Sequence, residues 1–173
     1  MDINRIKKSI RNVPDFPKPG IQFKDITTLL QDKDAFSETI EAFYNAFKDK
    51  EIDVIVGIES RGFIFASPLS LRLGCRFVLA RKLGKLPRKT IAKEYSLEYG
   101  TAAIEIHTDA LKKGDKVLIV DDLLASGGTA KATGSVVKKL KGEIIGYAFL
   151  IILDDLNGVD ILSPTPVFNI LEY

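Results

Sequence analysis

The chain has no tryptophan and only one cysteine, one histidine and one methionine among its 173 residues. A single thiol, Cys75, cannot close an internal disulfide and leaves little room for a cysteine-based zinc site. A single imidazole, His107, removes multi-histidine metal centres and gives a histidine-dependent triad poor support. The opening segment, MDINRIKKSIRNVPDFP, holds no apolar stretch of signal-peptide length. The longest apolar run lies near Tyr147 to Leu153, far short of the ~20 residues of a membrane-spanning helix. Strong charge of one sign is missing too. Lysine and arginine total 25 against 23 acidic residues, for a net charge of +2. That balance neither demands nor excludes a polyanionic partner. Repeats and low-complexity linkers are absent. The expectation is a cytoplasmic protein with no membrane or nucleic-acid partner, Cys75 being a reduced core thiol and His107 a surface residue.

Apolar residues make up 46% of the chain, which excludes a largely disordered protein. At this length about 70% of the unfolded surface is buried on folding, enough for one domain with a real core. Helix and strand patterns alternate. Ile3, Ile6, Ile10 and Val13 recur at helical spacing, predicting an amphipathic helix that ends before Pro14. PDFPKPGIQFKDIT reads as a loop. Phe36, Ile40, Phe43 and Phe47 mark a second helix that Asp34 could cap. Ile52–Ile58 is a buried strand, followed by a helix from about Phe63 to Leu73 with Gly74 as its stop. Pro68 fits that helix only near its first turn. Phe77–Ala80 and Thr101–Ile106 read as strands, and Leu83–Tyr99 has little periodicity. Lys116–Val120 is a buried strand, DDLLASGGT a turn, Ala130–Leu140 a helix closed by Gly142, and Ile144–Leu153 another strand. Strand, helix, strand is a βαβ unit, so the fold class is α/β with a mostly parallel central sheet.

In such sheets ligands sit at the carboxyl ends of the strands. There the chain places Asp121 and Asp122, then Ala125, Ser126, Gly127, Gly128 and Thr129, then a helix start. Two glycines let amides turn inward with no Cβ in the way. Those amides and the positive helix end make a monophosphate site. The paired acids lie where an attached ribose would be, able to accept from its hydroxyls and to hold Mg²⁺ directly or through water. The other reading is an ordinary βα turn with a capping Asp. A triphosphate loop is excluded, because Phe63 stands where Gly57 and Gly62 would require lysine, and no dinucleotide glycine pattern occurs.

VLIVDDLLASGGT resembles the phosphoribosyl-diphosphate (PRPP) signature of the type I phosphoribosyltransferase family. PDFPKPGIQFKDIT, GIESRGF and the pair RKLGKLP and EYSLEYG are similar, in the same order, to segments of its adenine-using branch. The resemblance implies one domain over residues 1–173. About 1–33 would be an N-terminal helix and adenine-selecting hood, and about 34–173 the core. It implies transfer of phosphoribose from PRPP to adenine, giving AMP and pyrophosphate, with Mg²⁺ as cofactor, an oxocarbenium-like transition state and a homodimer. It assigns pyrophosphate binding to Glu59, Ser60, Arg61 and Gly62, with a cis peptide at Glu59–Ser60, and further positive charge to Arg81, Lys82 and Lys85. Gln22 and Phe23 become adenine contacts together with Arg61, although Gln22 departs from the apolar residue associated with that position. Leu86–Gly100 becomes a mobile catalytic loop with Glu98 as catalytic glutamate and Tyr99 beside it. Read alone, Phe23 is equally a loop anchor buried in the core, Arg61 a solvated βα-turn residue, the 81–85 cations a solvated basic turn, and Glu98 and Tyr99 part of a solvated loop. Lys138, Lys139 and Lys141 read as a solvated helix face. A PRPP-sensing regulator and a 6-oxopurine enzyme remain the alternatives. The first needs a basic face or an added DNA-binding element, and the second should lack the hood in this form.

Overall fold

The computed structural model describes residues 2–96 and 100–173. Helix α1 (Ile3–Ser9) is capped by Asp2, whose carboxylate accepts from the Asn4 and Arg5 amides. It is shorter than its periodicity predicts, because residues 11–14 are taken into a hairpin. Strand β1 (Arg11–Pro14) pairs antiparallel with β2 (Gln22–Asp25), setting Val13 opposite Phe23. The proline-rich stretch read as a loop therefore carries a strand. Pro14 ends an edge strand, where a missing N–H removes no ladder bond.

Helices α2 (Thr27–Gln31) and α3 (Lys33–Phe47) follow. Asp32, not Asp34, caps α3, accepting from the Asp34 and Ala35 amides at 3.0 Å each. Asp34 lies inside the first turn, where its charge suits the positive helix end. Strand β3 (Val54–Ile58) is buried throughout, and α4 (Gly62–Leu73) ends at Gly74 in the left-handed conformation. Pro68 lies mid-helix rather than in the first turn. The packing of buried Phe65 and Leu69 carries the helix past the lost donor.

Next come β4 (Arg76–Lys82), β5 (Thr90–Ser96) and β6 (Thr101–His107). Much of the stretch expected to be an unstructured lid is thus a strand, paired with β6 from Thr90↔His107 to Ser96↔Thr101. As an edge strand β5 has no deeply buried face, so period-two alternation never develops in its sequence. Strand β7 (Lys116–Leu124) also outruns its prediction. Its pairing with β8 (Glu143–Ile152) continues through Asp121↔Phe149 to Leu124↔Ile152, so both acids are strand residues rather than turn residues. Helix α5 (Gly128–Lys139) is followed by a left-handed Lys141, φ 66°, in place of Gly142. Helix α6 (Gly158–Leu162) and β9 (Val167–Glu172) complete the chain.

The sheet order is β5-β6-β4-β3-β7-β8-β9. The run from β4 to β9 is parallel, and β6 and β5 continue it antiparallel. Alternate residues of the central strands feed two cores. Val54, Val56, Val117 and Ile119 pack under α5. Ile55, Leu118 and Val120 pack with Phe43 of α3 and with Phe65 and Leu69 of α4. Neighbouring parallel strands β3 and β7 therefore send their helices to opposite faces. The loops that leave them diverge, and a crevice opens between the strands' carboxyl ends. Among the described residues no helix is long and apolar enough to cross a membrane.

Candidate active site

The buried apolar run of β7 delivers two acids to this crevice. Asp122 is 3% exposed. Asp121 Oδ1 accepts from the Asp122 amide at 2.9 Å. Arg61 Nε lies 2.9 Å from Asp122 Oδ2, but its N–H is not aligned on that oxygen, which is buried without a hydrogen-bond partner among the described residues. Burial, then the charge of Asp122, pushes the Asp121 carboxyl well above the usual carboxylate range. Burial also raises Asp122, with Arg61 pulling the other way. Arg61 offsets part of the pair's charge, but one Asp122 oxygen still lacks an aligned donor among the described residues.

Beyond the acids, residues 125–129 wrap a cavity of about 110 Å³ that Asp121 and Phe149 also line. Gly127 opens α5 with φ 80°, and a Cβ there would come within 2.8 Å of the Gly158 carbonyl oxygen. Any other residue would be strained and would strike α6. No side chain caps α5, and its first turn holds no acid. Its free amides and positive end are left for an anion. Ser126 is exposed and Thr129 half-buried at this rim.

The loop leaving β3 forms the opposite wall. The Glu59–Ser60 peptide is cis, as expected. The Glu59 carboxylate accepts from Arg81 Nε and Nη2 at 3.2 Å each and from the Lys82 amide at 2.8 Å. Burial alone would raise Glu59, but Arg81 and the Lys82 amide outweigh it and hold the carboxyl below its ordinary value. Arg81 is thus not a free cation, whereas Lys82 and Lys85 are exposed beside it. Helix α4 likewise has no side-chain cap and no acid in its first turn. A Cβ on Gly62 would lie 2.7 Å from the Val120 carbonyl and 2.9 Å from Asp121 Oδ1, so only glycine lets the two walls meet.

The hood completes the arrangement. The Phe23 ring centroid is 5.5 Å from the Arg61 guanidinium carbon and 5.1 Å from the Phe16 ring, edge to face. Phe23 is half-buried and belongs to neither core, so it is not the buried anchor that its sequence also allowed. The exposed Gln22 side chain accepts from Asn12 at 2.6 Å. Phe23, Arg61, Asp122 and Asp121 therefore form one connected line from hood to phosphate loop. Glu98 and Tyr99 lie outside the described residues. Lys138, Lys139 and Lys141 are exposed. His107 is half-buried rather than fully exposed, and its Nε2 is enclosed without a hydrogen-bond partner among the described residues.

Residues 25–160 match the family model of the phosphoribosyl transferase domain. The adenine phosphoribosyltransferase of Halothermothrix orenii is 55% identical over 167 residues, covering 96% of this chain and 98% of that one. The solved structure of the Thermoanaerobacter pseudethanolicus enzyme of that name superposes with a TM-score of 0.96 at 45% identity, over 99% of this chain and 100% of that one. The Saccharomyces cerevisiae enzyme, solved with adenine and an iminoaltritol bisphosphate, gives 0.92 at 40% identity, over 97% of each chain. The chain belongs to the adenine phosphoribosyltransferase family. It is accordingly an enzyme of pentosyl transfer on the type I phosphoribosyltransferase fold, a mostly parallel sheet flanked by helices with a small antiparallel sheet at the amino end.

A family member that used Mg²⁺ here would have no protein cage for it. Among the described residues no group of three or more His, Cys, Asp or Glu could hold a metal. Two carboxylates with one orphan oxygen nevertheless fit an ion that keeps several waters and takes the rest of its ligands from substrate. Three contributors escaped the sequence reading: Phe16 beside Phe23, α6 behind Gly127, and Glu105. Glu105 alone left a trace, as a lone charge in the strand-like run TAAIEIH.

Proposed function

We propose that the chain converts adenine and PRPP to AMP and pyrophosphate. The observation that carries this reading is the pairing of an uncapped α5 amino end with the Asp121–Asp122 acids one loop apart, which Arg61 faces on the hood side. The 5′-phosphate would sit on the amides of Ser126 to Thr129, where no cap competes. The ribose hydroxyls would donate to Asp121 and Asp122. Pyrophosphate would lie between the Glu59–Gly62 loop and Lys82 and Lys85. Adenine would stack under Phe23, with backbone groups of Gln22 and Arg61 reading its edge.

The reaction breaks the ribose C1–oxygen bond to pyrophosphate, joins purine N9 to C1 and releases the N9 proton. Positive charge grows on the sugar as negative charge grows on the leaving group. Carboxylates beside the sugar and cations beside the leaving group stabilise that separation most when they are already in place. Glu98 would receive or relay the N9 proton, with Tyr99 packed beside it. Mg²⁺, held through PRPP by Asp121 and Asp122 and water, would supply further positive charge at the pyrophosphate. Exclusion of water protects an oxocarbenium-like sugar from hydrolysis. We also infer a homodimer, supported by Leu79 and Leu83, exposed next to the basic turn. A cytoplasmic site of action suits Cys75, a half-buried thiol whose pKa burial raises.

The deciding experiment incubates the protein with PRPP, Mg²⁺ and each of adenine, hypoxanthine, guanine and xanthine. AMP from adenine alone is expected. Product from a 6-oxopurine would sink the hood assignment and keep the fold. PRPP binding without product from any base would point to a regulator instead.

A further inference from the structure

The reaction just described leaves unexplained a carboxylate buried in the antiparallel arm of the sheet. Glu105 is 3% exposed on β6, in register with Arg81 of β4 on one side and Ala92 of β5 on the other. Its Oε1 accepts from the Lys85 and Leu86 amides at 3.1 Å each, and its Oε2 from Thr90 Oγ1 at 2.9 Å. Burial of such a group is unfavourable unless it is matched by donors. Here the donors come from two separate elements, the basic turn 82–86 and the first residue of β5.

The same turn is gripped from its other side. Arg81 Nη1 donates to the Lys85 carbonyl at 3.1 Å, while Nε and Nη2 of Arg81 hold Glu59. Glu59 in turn accepts from the Lys82 amide. The turn thus has two amides on Glu105 of β6 and a carbonyl on Arg81, and Arg81 ties it to the Glu59 wall that follows β3. An apolar residue at 105 would fill the same space but could not hold three donors. Lys82 and Lys85 project from this turn, so their placement over the crevice depends on it.

We propose that Glu105 is a positioning residue for the pyrophosphate end of the site. It locks the 82–86 turn and the root of β5 onto β6, while Arg81 ties the same turn to Glu59, and it does so without touching substrate. The assignment rests on the proposed reaction for the identity of the anion. It predicts an effect confined to one end of the crevice. Loss of the buried carboxylate loosens Lys82 and Lys85, and leaves the hood and the Ser126–Thr129 loop unchanged.

The test compares wild type, Glu105→Gln and Thr90→Val. Magnesium pyrophosphate is titrated calorimetrically into each protein, a readout that needs no turnover. AMP formation is then followed at varied PRPP and adenine. In Glu105→Gln the charge is lost and the NH2 can only donate, so Thr90 Oγ1 must turn to accept; pyrophosphate affinity and the KM for PRPP should each worsen about threefold, while the KM for adenine moves less than about twofold. Thr90→Val removes one bond only and should worsen pyrophosphate affinity about threefold, with a melting temperature lower by a few degrees because Oε2 loses its donor. Unchanged pyrophosphate affinity in both variants overturns the proposal, as does an equal rise in both KM values. If Glu105→Gln fails to fold, Thr90→Val decides alone: a selective loss upholds the role, and no loss ends it. Failure of wild type to make AMP would instead overturn the reaction, and the calorimetric comparison would still judge Glu105.

Discussion

Strand β7 has acids at both ends, and the two ends treat them oppositely. At the amino end Asp115 is 7% exposed, yet it accepts from the Lys112 amide at 2.6 Å and meets Arg76 Nη2 at 2.6 Å. Burial would raise its carboxyl, but Arg76 and the Lys112 amide hold it below the ordinary range. Asp53 beside it accepts from the Lys116 amide at 2.8 Å, and Lys116 pairs with Glu51. At the carboxyl end Asp121 and Asp122 are both raised, and one oxygen of Asp122 has no hydrogen-bond partner among the described residues. Helices repeat the contrast. Asp32 caps α3, while α4 and α5, which open onto the crevice, have no side-chain cap. Where charge and amides are satisfied within the chain they hold the fold. The uncapped ends of α4 and α5 and the raised acids meet at the crevice, where we propose that the substrates bind.

The sharpest break of this comparison is at the carboxyl end. Asp121→Asn and Asp122→Asn should each lower kcat/KM by about 10²–10³, the scale seen when one preorganised electrostatic group is lost from a site. The melting temperature of Asp121→Asn at neutral pH should hold or rise, since burial and the Asp122 charge disfavour that carboxylate, whereas Asp122→Asn also gives up Arg61 and should change little. Steady-state kinetics beside thermal unfolding checks both. Wild-type turnover would remove the acids from the mechanism. A large drop in melting temperature would make them structural.

Asp115→Asn is the mirror experiment. It should lower stability by about 1–3 kcal/mol, the range for stranding a buried charge partner, toward the low end because the Arg76 side chain is 42% exposed and screened. AMP formation at 25 °C should be unchanged. The pH trends have opposite signs. The folded pKa of Asp115 is depressed, so its contribution is present above the unfolded value of 3.8 and lost as pH falls through the lower folded value. The folded pKa of Asp121 is raised, so its cost is present above that raised value and relieved as pH falls through it. On acidification the Asp121→Asn advantage should therefore fade first, and the Asp115→Asn deficit only below about pH 4. Parallel curves for the two variants would contradict the assigned directions.

The central strands were legible because both faces of β3, β7 and β8 are buried, so apolar runs mark them without ambiguity. The phosphate loop was legible because small residues, paired acids and a helix start are local in sequence. Boundaries were less so. Asp121 and Asp122 looked like turn residues, but pairing with β8 carries the strand past them, and pairing is not written in β7 itself. Strand β2 hid among prolines for the same reason: its partner β1 lies across a loop. The line from Phe23 through Arg61 to Asp122 joins three distant segments. Only family resemblance could anticipate that they meet. Glu105 shows the converse, a visible anomaly whose meaning depends on a turn about twenty residues away.

The smallest expected effect concerns the hood, where the comparison of satisfied and waiting groups reaches an aromatic ring. Phe23 lies outside both cores and rests against Arg61 and the edge of Phe16. An anchor of the fold would lose several kcal/mol on truncation. A ring waiting for a purine should lose only its stacking. Phe23→Leu keeps apolar bulk and removes the π-face. It should weaken adenine by about 1 kcal/mol, a KM rise of about fivefold. The KM for PRPP should not move, because the phosphate loop and the acid pair belong to other elements. Melting temperature should change by no more than about 2 °C. A larger fall in stability with unchanged adenine KM would return Phe23 to the role of a structural anchor. Arg61 would then pack its guanidinium on an anchor of the fold rather than beside a base platform.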